Sequence, residues 1–288
     1  MNLTNQNEIQ ALLGRHGFRF SKAMGQNFLI ADWVPRQIAE AAGVDEQTGV
    51  LEIGPGLGCL TAALSDRAGK VLAVELDKSL RPVLEETLAG RENVELLFGD
   101  VLRQDIPALA AEKLGGLRPV VCANLPYNVT TPALSALLRA DCFESITVML
   151  QREAARRLCA PAGAPDYGAF GAQLQWLTEP EILFEVPPGC FLPQPKVTSA
   201  VIRLRRRPEP PAPVKDEALL MNVIRAAFAQ RRKTLPNALA AGLGIPRERA
   251  ERALENAGFD TRIRGESVDL VGFAKISDEL GKILSADL

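Results

Sequence analysis

Histidine and aromatic side chains are scarce in this 288-residue chain, which has one histidine, His16, and only 5% Phe, Trp and Tyr. Its five cysteines, Cys59, Cys122, Cys142, Cys159 and Cys190, are odd in number, widely scattered and never arranged as C-x-x-C. With a single histidine beside them they support neither a zinc site nor a disulfide framework, so no metal is expected. His16 precedes a glycine and reads as a partly solvated residue, not a catalytic one. Long hydrophobic runs are also missing: none approaches the roughly 18 residues that a bilayer requires. The first residues, MNLTNQNEIQALLGRHG, lack the basic-then-apolar pattern of an export signal, and a cytoplasmic address is the expectation.

Net charge is likewise small, at −2, which by itself argues against a nucleic-acid binder. Resolved along the chain, the charge is polarised. Between Lys196 and Leu235 stand ten Lys or Arg against three acids, so that segment carries +7 and the remainder −9. A local phosphate-binding face is therefore compatible with an acidic whole.

What is present is an alternation of short β-rich runs with amphipathic helical stretches over the first 205 residues. The runs are 50–53, 70–76, 94–99, 119–124, 145–150, 181–186 and 199–204. Helices are predicted between them, among them 79–89 with Ser79 as N-cap and 131–140 with Pro132 in its first turn. This order implies an α/β fold, a seven-stranded and mostly parallel sheet covered by helices on both faces. The proline-rich RRPEPPAP near 207–214 predicts an extended, semi-rigid linker. Beyond it the periodicity predicts helices near 216–229, 232–242, 246–257 and 268–284, a small all-helical domain. The division expected is 1–207, linker 208–215, and 216–288.

The first of these strands runs into Glu52-Ile53-Gly54-Pro55-Gly56-Leu57-Gly58 and then into a helix. A glycine turn there lets a ligand lie against backbone at the carboxyl edge of the sheet. A dinucleotide fingerprint would require glycine where Cys59 stands, so the turn suits a cofactor without a pyrophosphate, of which S-adenosylmethionine is one. Glu75 and Asp100 close the next two strands, where one acid can accept ribose hydroxyls and the other an adenine amino hydrogen. Asp77 is the alternative ribose ligand, and Glu75 is favoured because it sits directly on the strand end.

Asn124-Leu125-Pro126-Tyr127 closes the fourth strand. An aromatic amine is a poor nucleophile because its lone pair is delocalised into the ring. Two acceptors, the Asn124 side-chain oxygen and the Leu125 carbonyl, can take both amino hydrogens and aim that lone pair at a methyl donor. Pro126 stiffens the turn and Tyr127 offers a stacking face that favours developing positive charge.

Taken together, Gly25-Gln26-Asn27-Phe28-Leu29, the E-I-G-P-G-x-G turn, Asn124 to Tyr127, Phe191-Leu-Pro-Gln-Pro-Lys196-Val197 and Phe228-Ala-Gln-Arg-Arg-Lys-Thr-Leu235 resemble the ribosomal RNA adenine dimethyltransferases. The resemblance covers nearly the whole chain. It implies a Rossmann-like S-adenosylmethionine-dependent methyltransferase domain, a small helical RNA-binding domain, and two-step conversion of adenine to N6,N6-dimethyladenine. It further implies that Asn27 and Leu29 touch the cofactor beside Gly54, Glu75, Asp100 and Asn124. By the same resemblance Phe191 forms a second aromatic wall opposite Tyr127, and Lys196 serves RNA phosphate. Within the family the proline-rich connection and F-A-Q-R-R-K-T-L look like the bacterial small-subunit enzymes, which act on two adjacent adenosines of 16S RNA. Arg231, Arg232 and Lys233 are the first candidates for contacts to the RNA backbone. A monomer is expected because an immature small subunit itself supplies a large interface. Gly265 stands where alanine is expected in that family, which places the start of the following helix in question. Competing readings are a related enzyme acting on DNA adenine or protein glutamine, and a small-subunit assembly factor without catalysis.

Overall fold

The computed structural model describes residues 3, 5–18 and 25–286. In chain order the first elements are α1 (Gln6–Arg15), β1 (Phe28–Leu29), α2 (Trp33–Ala41), β2 (Thr48–Ile53), α3 (Cys59–Ser65), β3 (Lys70–Glu75), α4 (Arg81–Thr87), β4 (Val94–Phe98) and α5 (Ile106–Leu114). Next come β5 (Arg118–Asn124), α6 (Thr130–Ala140), β6 (Ser145–Gln151), α7 (Arg152–Cys159), α8 (Ala169–Leu177), β7 (Thr178–Val186), β8 (Phe191–Leu192) and β9 (Ser199–Arg206). The chain ends in α9 (Glu217–Ala229), α10 (Leu235–Leu243), α11 (Arg247–Asn256) and α12 (Leu270–Ser285).

Seven strands form one sheet in the order β4-β3-β2-β5-β6-β9-β7, as the alternation in the sequence predicts. Strands β2 to β6 are parallel to their neighbours, whereas β9 runs antiparallel to β6. All six positions of β2 are buried, as a strand covered on both faces requires. One apolar cluster joins Val34 and Ile38 of α2 and Leu60 and Leu64 of α3 to Val50, Val71 and Val120 of the sheet. A second joins Ile9, Leu12 and Leu13 of α1 to Leu57, Val83 and Leu84. Because β2 has β3 on one side and β5 on the other, the connections leaving β2 and β5 part at their carboxyl ends and leave a crevice there.

Two local details differ from the sequence reading. Ser79 is not the cap of a helix: the Asp77 carboxylate accepts its N–H at 3.0 Å and starts a 3-10 turn over Lys78–Leu80, so α4 begins at Arg81. A carboxylate accepts this bond more strongly than a hydroxyl, and the Ser79 hydroxyl itself donates to Asp77 at 2.6 Å. Phe28–Leu29 and Phe191–Leu192 also pair as a two-stranded antiparallel ribbon too short to leave a sequence pattern.

The chain divides into two compact units, Met1–Ala155 with Glu181–Arg206, and Arg156–Pro180 with Arg207–Leu288. Residues 156–180, placed by the sequence reading in the first domain, thus cluster with the C-terminal helices. The reason is the apolar area of Tyr167 and Trp176, which are buried with Leu220, Val223 and Ile224 of α9, Leu239 of α10 and Phe273 of α12. The proline-rich stretch is not a free spacer either. Ala212 and Val214 pack on that same core, and Arg207 donates to the carbonyls of Gln175 and Thr178 at 3.0 and 3.2 Å. Among the described residues, no helix is long and apolar enough to cross a membrane.

Candidate active site

The carboxyl ends of β2, β3, β4 and β5 open on one cavity of about 270 Å³. Gly54, Glu75, Asp100 and the Asn124-Leu125-Pro126-Tyr127 tetrapeptide all line it, as do Asn27 and Leu29, which the resemblance implied.

Its floor is the glycine turn after β2. Gly54 and Gly56 have φ of 70° and 59°, a conformation that side chains other than glycine rarely adopt. A Cβ on Gly56 would meet the Phe28 ring at 2.9 Å, and one on Gly54 would stand 3.9 Å from Pro126 Cδ, in the gap between the turn and the loop after β5. That gap is the cradle a slender ligand requires.

Glu75 is 6% exposed, and its two carboxylate oxygens accept the N–H groups of Gly56 at 3.2 Å and Asp77 at 2.8 Å. Burial raises its pKa while those two bonds oppose the rise. Asp77 does not line the cavity; its carboxylate is engaged by Ser79 and by the Gln26 amide at 2.7 Å. The geometry therefore separates the two acids that the sequence offered as alternatives, giving the cavity to Glu75. Asp100 accepts the N–H of Leu102 at 3.0 Å and lies 3.5 Å from Arg103 Nε.

Glu52 is an acid that sequence reasoning missed. It is 1% exposed and lines the cavity, with no hydrogen-bond partner for Oε2 among the described residues. Burial first, and repulsion from Glu75, push its pKa up to about 8, so it is mostly protonated at neutral pH. Leu76 and Leu102 were also missed: they follow the strand-end acids, line the cavity, and are 54% and 42% exposed. Leucines one residue after Glu75 and two residues after Asp100, apolar side chains beside strand-end acids, were the available signal.

The loop after β5 is fixed from several sides. The Leu125 N–H donates to the Met149 carbonyl of β6 at 3.1 Å, while the Leu125 carbonyl receives no donor among the described residues. Asn124 donates from Nδ2 to the Asn27 carbonyl at 3.4 Å, which leaves Oδ1 as its free acceptor. Two acceptors are thus presented at adjacent positions, as a planar amine requires.

The family described as "Ribosomal RNA adenine dimethylase" matches residues 17–271. The chain belongs to that family. Its relatives include the "Ribosomal RNA small subunit methyltransferase A" of Geobacillus thermodenitrificans, 46% identical over 274 residues, 93% of this chain and 94% of the relative. The protein so named in Clostridium perfringens is 44% identical over 280 residues, 96% of each chain. Among solved structures, a 23S rRNA methyltransferase, ErmE, is 29% identical with a TM-score of 0.67, covering 88% of this chain and all of that one. A dimethyladenosine transferase from Plasmodium falciparum shares the fold with a TM-score of 0.74 at 23% identity, covering 89% and 98%.

As an rRNA adenine dimethylase the chain is an S-adenosylmethionine-dependent enzyme that methylates adenine in ribosomal RNA. Several residues assigned by sequence lie apart from the dimethylase cavity. Phe191 is 3% exposed, pairs with Leu29, belongs to the core cluster of Ile38, Leu64 and Val201, and is outside the cavity lining. An aromatic at a strand pair is covered by the sheet it joins, whatever the loop after it does. Lys196 is exposed and outside the cavity lining. In the second unit Arg232 and Lys233 are exposed without side-chain partners among the described residues. Arg231 instead donates to the carbonyls of Tyr167 at 2.6 Å and Pro165 at 3.3 Å.

Proposed function

We propose that this dimethylase acts on two adjacent adenosines near the 3′ end of 16S rRNA, within an immature small subunit, as a cytoplasmic monomer. The observation that carries the reading is the adjacency of two free acceptors, Asn124 Oδ1 and the Leu125 carbonyl, on a loop facing the glycine cradle. The small-subunit assignment is supported by near full-length relatives bearing that name.

The donor set fits the cofactor. Gly54 and Gly56 leave room against backbone, Glu75 presents a buried carboxylate to a ribose, and Leu76 and Leu102 offer apolar faces to a purine. Asp100, Asn27 and Leu29 complete the residues that would hold it. When bound, S-adenosylmethionine supplies an electrophilic sulfonium methyl.

The chain's own residues do the rest. Asn124 Oδ1 and the Leu125 carbonyl accept the two N6 hydrogens of the target adenine and turn its lone pair out of the ring plane. Alignment of this kind accounts for much of the barrier lowering available to a transfer between bound partners. Tyr127 stacks on the base, and its π face favours the positive charge that develops on it. No strong general base is needed, because the protonated amine is acidic and loses its proton readily. A paired adenine hides its amino group, so the target is unpaired or flipped out before it reaches the loop. Arg232, Lys233 and Lys196 serve RNA phosphates, giving affinity and orientation more than base identity.

Incubating purified protein with labelled cofactor and undermethylated small subunits tests this. Label in N6,N6-dimethyladenine at two neighbouring positions is expected, and no methyl incorporation into adenine sinks the proposal.

A further inference from the structure

Tyr127 is tethered at its hydroxyl. That oxygen lies 2.8 Å from Ser199 Oγ, and Ser199 is 0% exposed at the first position of β9. Topology explains how a residue so distant in sequence reaches this loop. β9 is antiparallel to β6, with Ser199 in register with Gln151, so β9 begins at the edge where the parallel strands end. Asn124 closes β5 at that same edge, in register with Met149 of β6. The first residue of a parallel strand would lie at the opposite edge, away from the chemistry.

The loop backbone is fixed separately. The Thr130 hydroxyl donates to the carbonyls of Pro126 and Tyr127, each at 3.4 Å, and the Val129 N–H donates to the Pro126 carbonyl at 3.1 Å. Those contacts act on the loop backbone and do not hold the Tyr127 ring itself. Tyr127 is half-buried and lines the cavity, so one part of its ring faces a space with nothing to hold it. The Ser199 hydroxyl is the only hydrogen-bond partner of the Tyr127 side chain among the described residues. In a buried setting such a bond is stronger than in water and specifies one orientation.

We propose that Ser199 is a positioning residue of methyl transfer: by holding the Tyr127 hydroxyl it stops the ring swinging about its Cα–Cβ bond. Because a hydrogen bond to a phenol lies near the ring plane, it also biases the ring's tilt, and so sets the face on which the target adenine stacks and the direction of the N6 lone pair. The inference rests on the proposed stacking role of Tyr127. It differs from a packing role in its consequence, since a loosened ring leaves the fold and the cofactor cradle intact while misaligning the base.

Ser199→Ala, Tyr127→Phe, their double variant, Ser199→Thr and Tyr127→Ala are compared with undermethylated small subunits as substrate. Turnover, KM for the subunits, cofactor affinity and melting temperature are measured for each. Ser199→Ala and Tyr127→Phe should each lower kcat about 3- to 10-fold, the rate equivalent of one uncharged hydrogen bond. Cofactor affinity should stay within about twofold, and the double variant should be no slower than the slower single, because both remove the same bond. Ser199→Thr, which keeps the hydroxyl, should recover most of the rate. Unchanged kcat in Tyr127→Phe, or losses that multiply in the double variant, overturns the inference. Tyr127→Phe keeps the test valid if Ser199→Ala fails to fold, since the Tyr127 hydroxyl can be removed without emptying the core. Wild-type turnover in Tyr127→Ala would instead remove the stacking role itself, whereas loss there with normal turnover in Tyr127→Phe refutes the tether alone.

Discussion

Asn124 donates its side-chain Nδ2 to the backbone carbonyl of Asn27 at 3.4 Å, across 97 positions of sequence. The bond engages the NH₂ group of a residue that lines the cavity and leaves Oδ1, an acceptor, without a partner among the described residues. The N-terminal segment that supplies this carbonyl also reaches Asp77 through Gln26, so one strand of chain touches both the catalytic loop and the end of β3.

From this follows the first prediction. Asn124→Ala removes the acceptor proposed to act on the reacting nitrogen, so kcat should fall by about 100-fold or more, on the scale of losing one catalytic hydrogen bond. RNA affinity should remain within about twofold, as the proposed phosphate contacts, Lys196, Arg232 and Lys233, do not include it. Single-turnover kinetics with a filter-binding assay check both, and a variant with normal turnover would withdraw Asn124 from its role.

Glu52 predicts a pH dependence of stability. Its folded pKa, about 8, lies above the ordinary 4.5, so the folded state holds a proton that the unfolded chain releases. The resulting stabilisation is full below pH 4.5 and is lost progressively as pH rises to about 8. Glu52→Gln mimics the protonated form, so the variant's melting temperature should decline less than the wild type's between those limits. Parallel melting curves for the two proteins would show that Glu52 does not titrate in this way.

Gly265 was a departure from the expected family pattern, and the structure gives it a packing role. It begins a 3-10 turn at Gly265–Ser267, and a Cβ there would meet the Ala227 carbonyl oxygen of α9 at 2.7 Å. α12 accordingly starts later than predicted, at Leu270, with Asp269 as its cap. Because the obstacle is backbone, Gly265→Ala should destabilise the protein by about 1–3 kcal/mol. Denaturant unfolding measures this, and an unchanged midpoint would show that α9 yields without cost.

Within the basic segment, neighbours should behave differently. Arg231 ties the carbonyls of Pro165 and Tyr167, so Arg231→Ala should lower stability. Arg232→Ala and Lys233→Ala should leave melting unchanged and weaken RNA binding. Each should also reduce the salt slope of log K by about 0.7–0.9 if its charge meets a phosphate. Titrations at several salt concentrations separate the three; an unaltered slope in both Arg232→Ala and Lys233→Ala would place the RNA contacts elsewhere.

The sequence by itself determined the strands, the glycine turn and the strand-end acids. These follow from local rules: apolar runs that alternate with helical periodicity, and glycine where φ must be positive. Gly54, Glu75, Asp100 and Asn124 line one cavity because parallel strands bring successive carboxyl ends to one edge. Tertiary structure alone decided the rest. The burial that protonates Glu52, the release of Asp77 to Ser79 and Gln26, and the placement of Phe191 in the core each depend on what packs against the residue. So do the return of 156–180 to the helical unit and the reach of Ser199 to Tyr127, which span distances that no local pattern encodes.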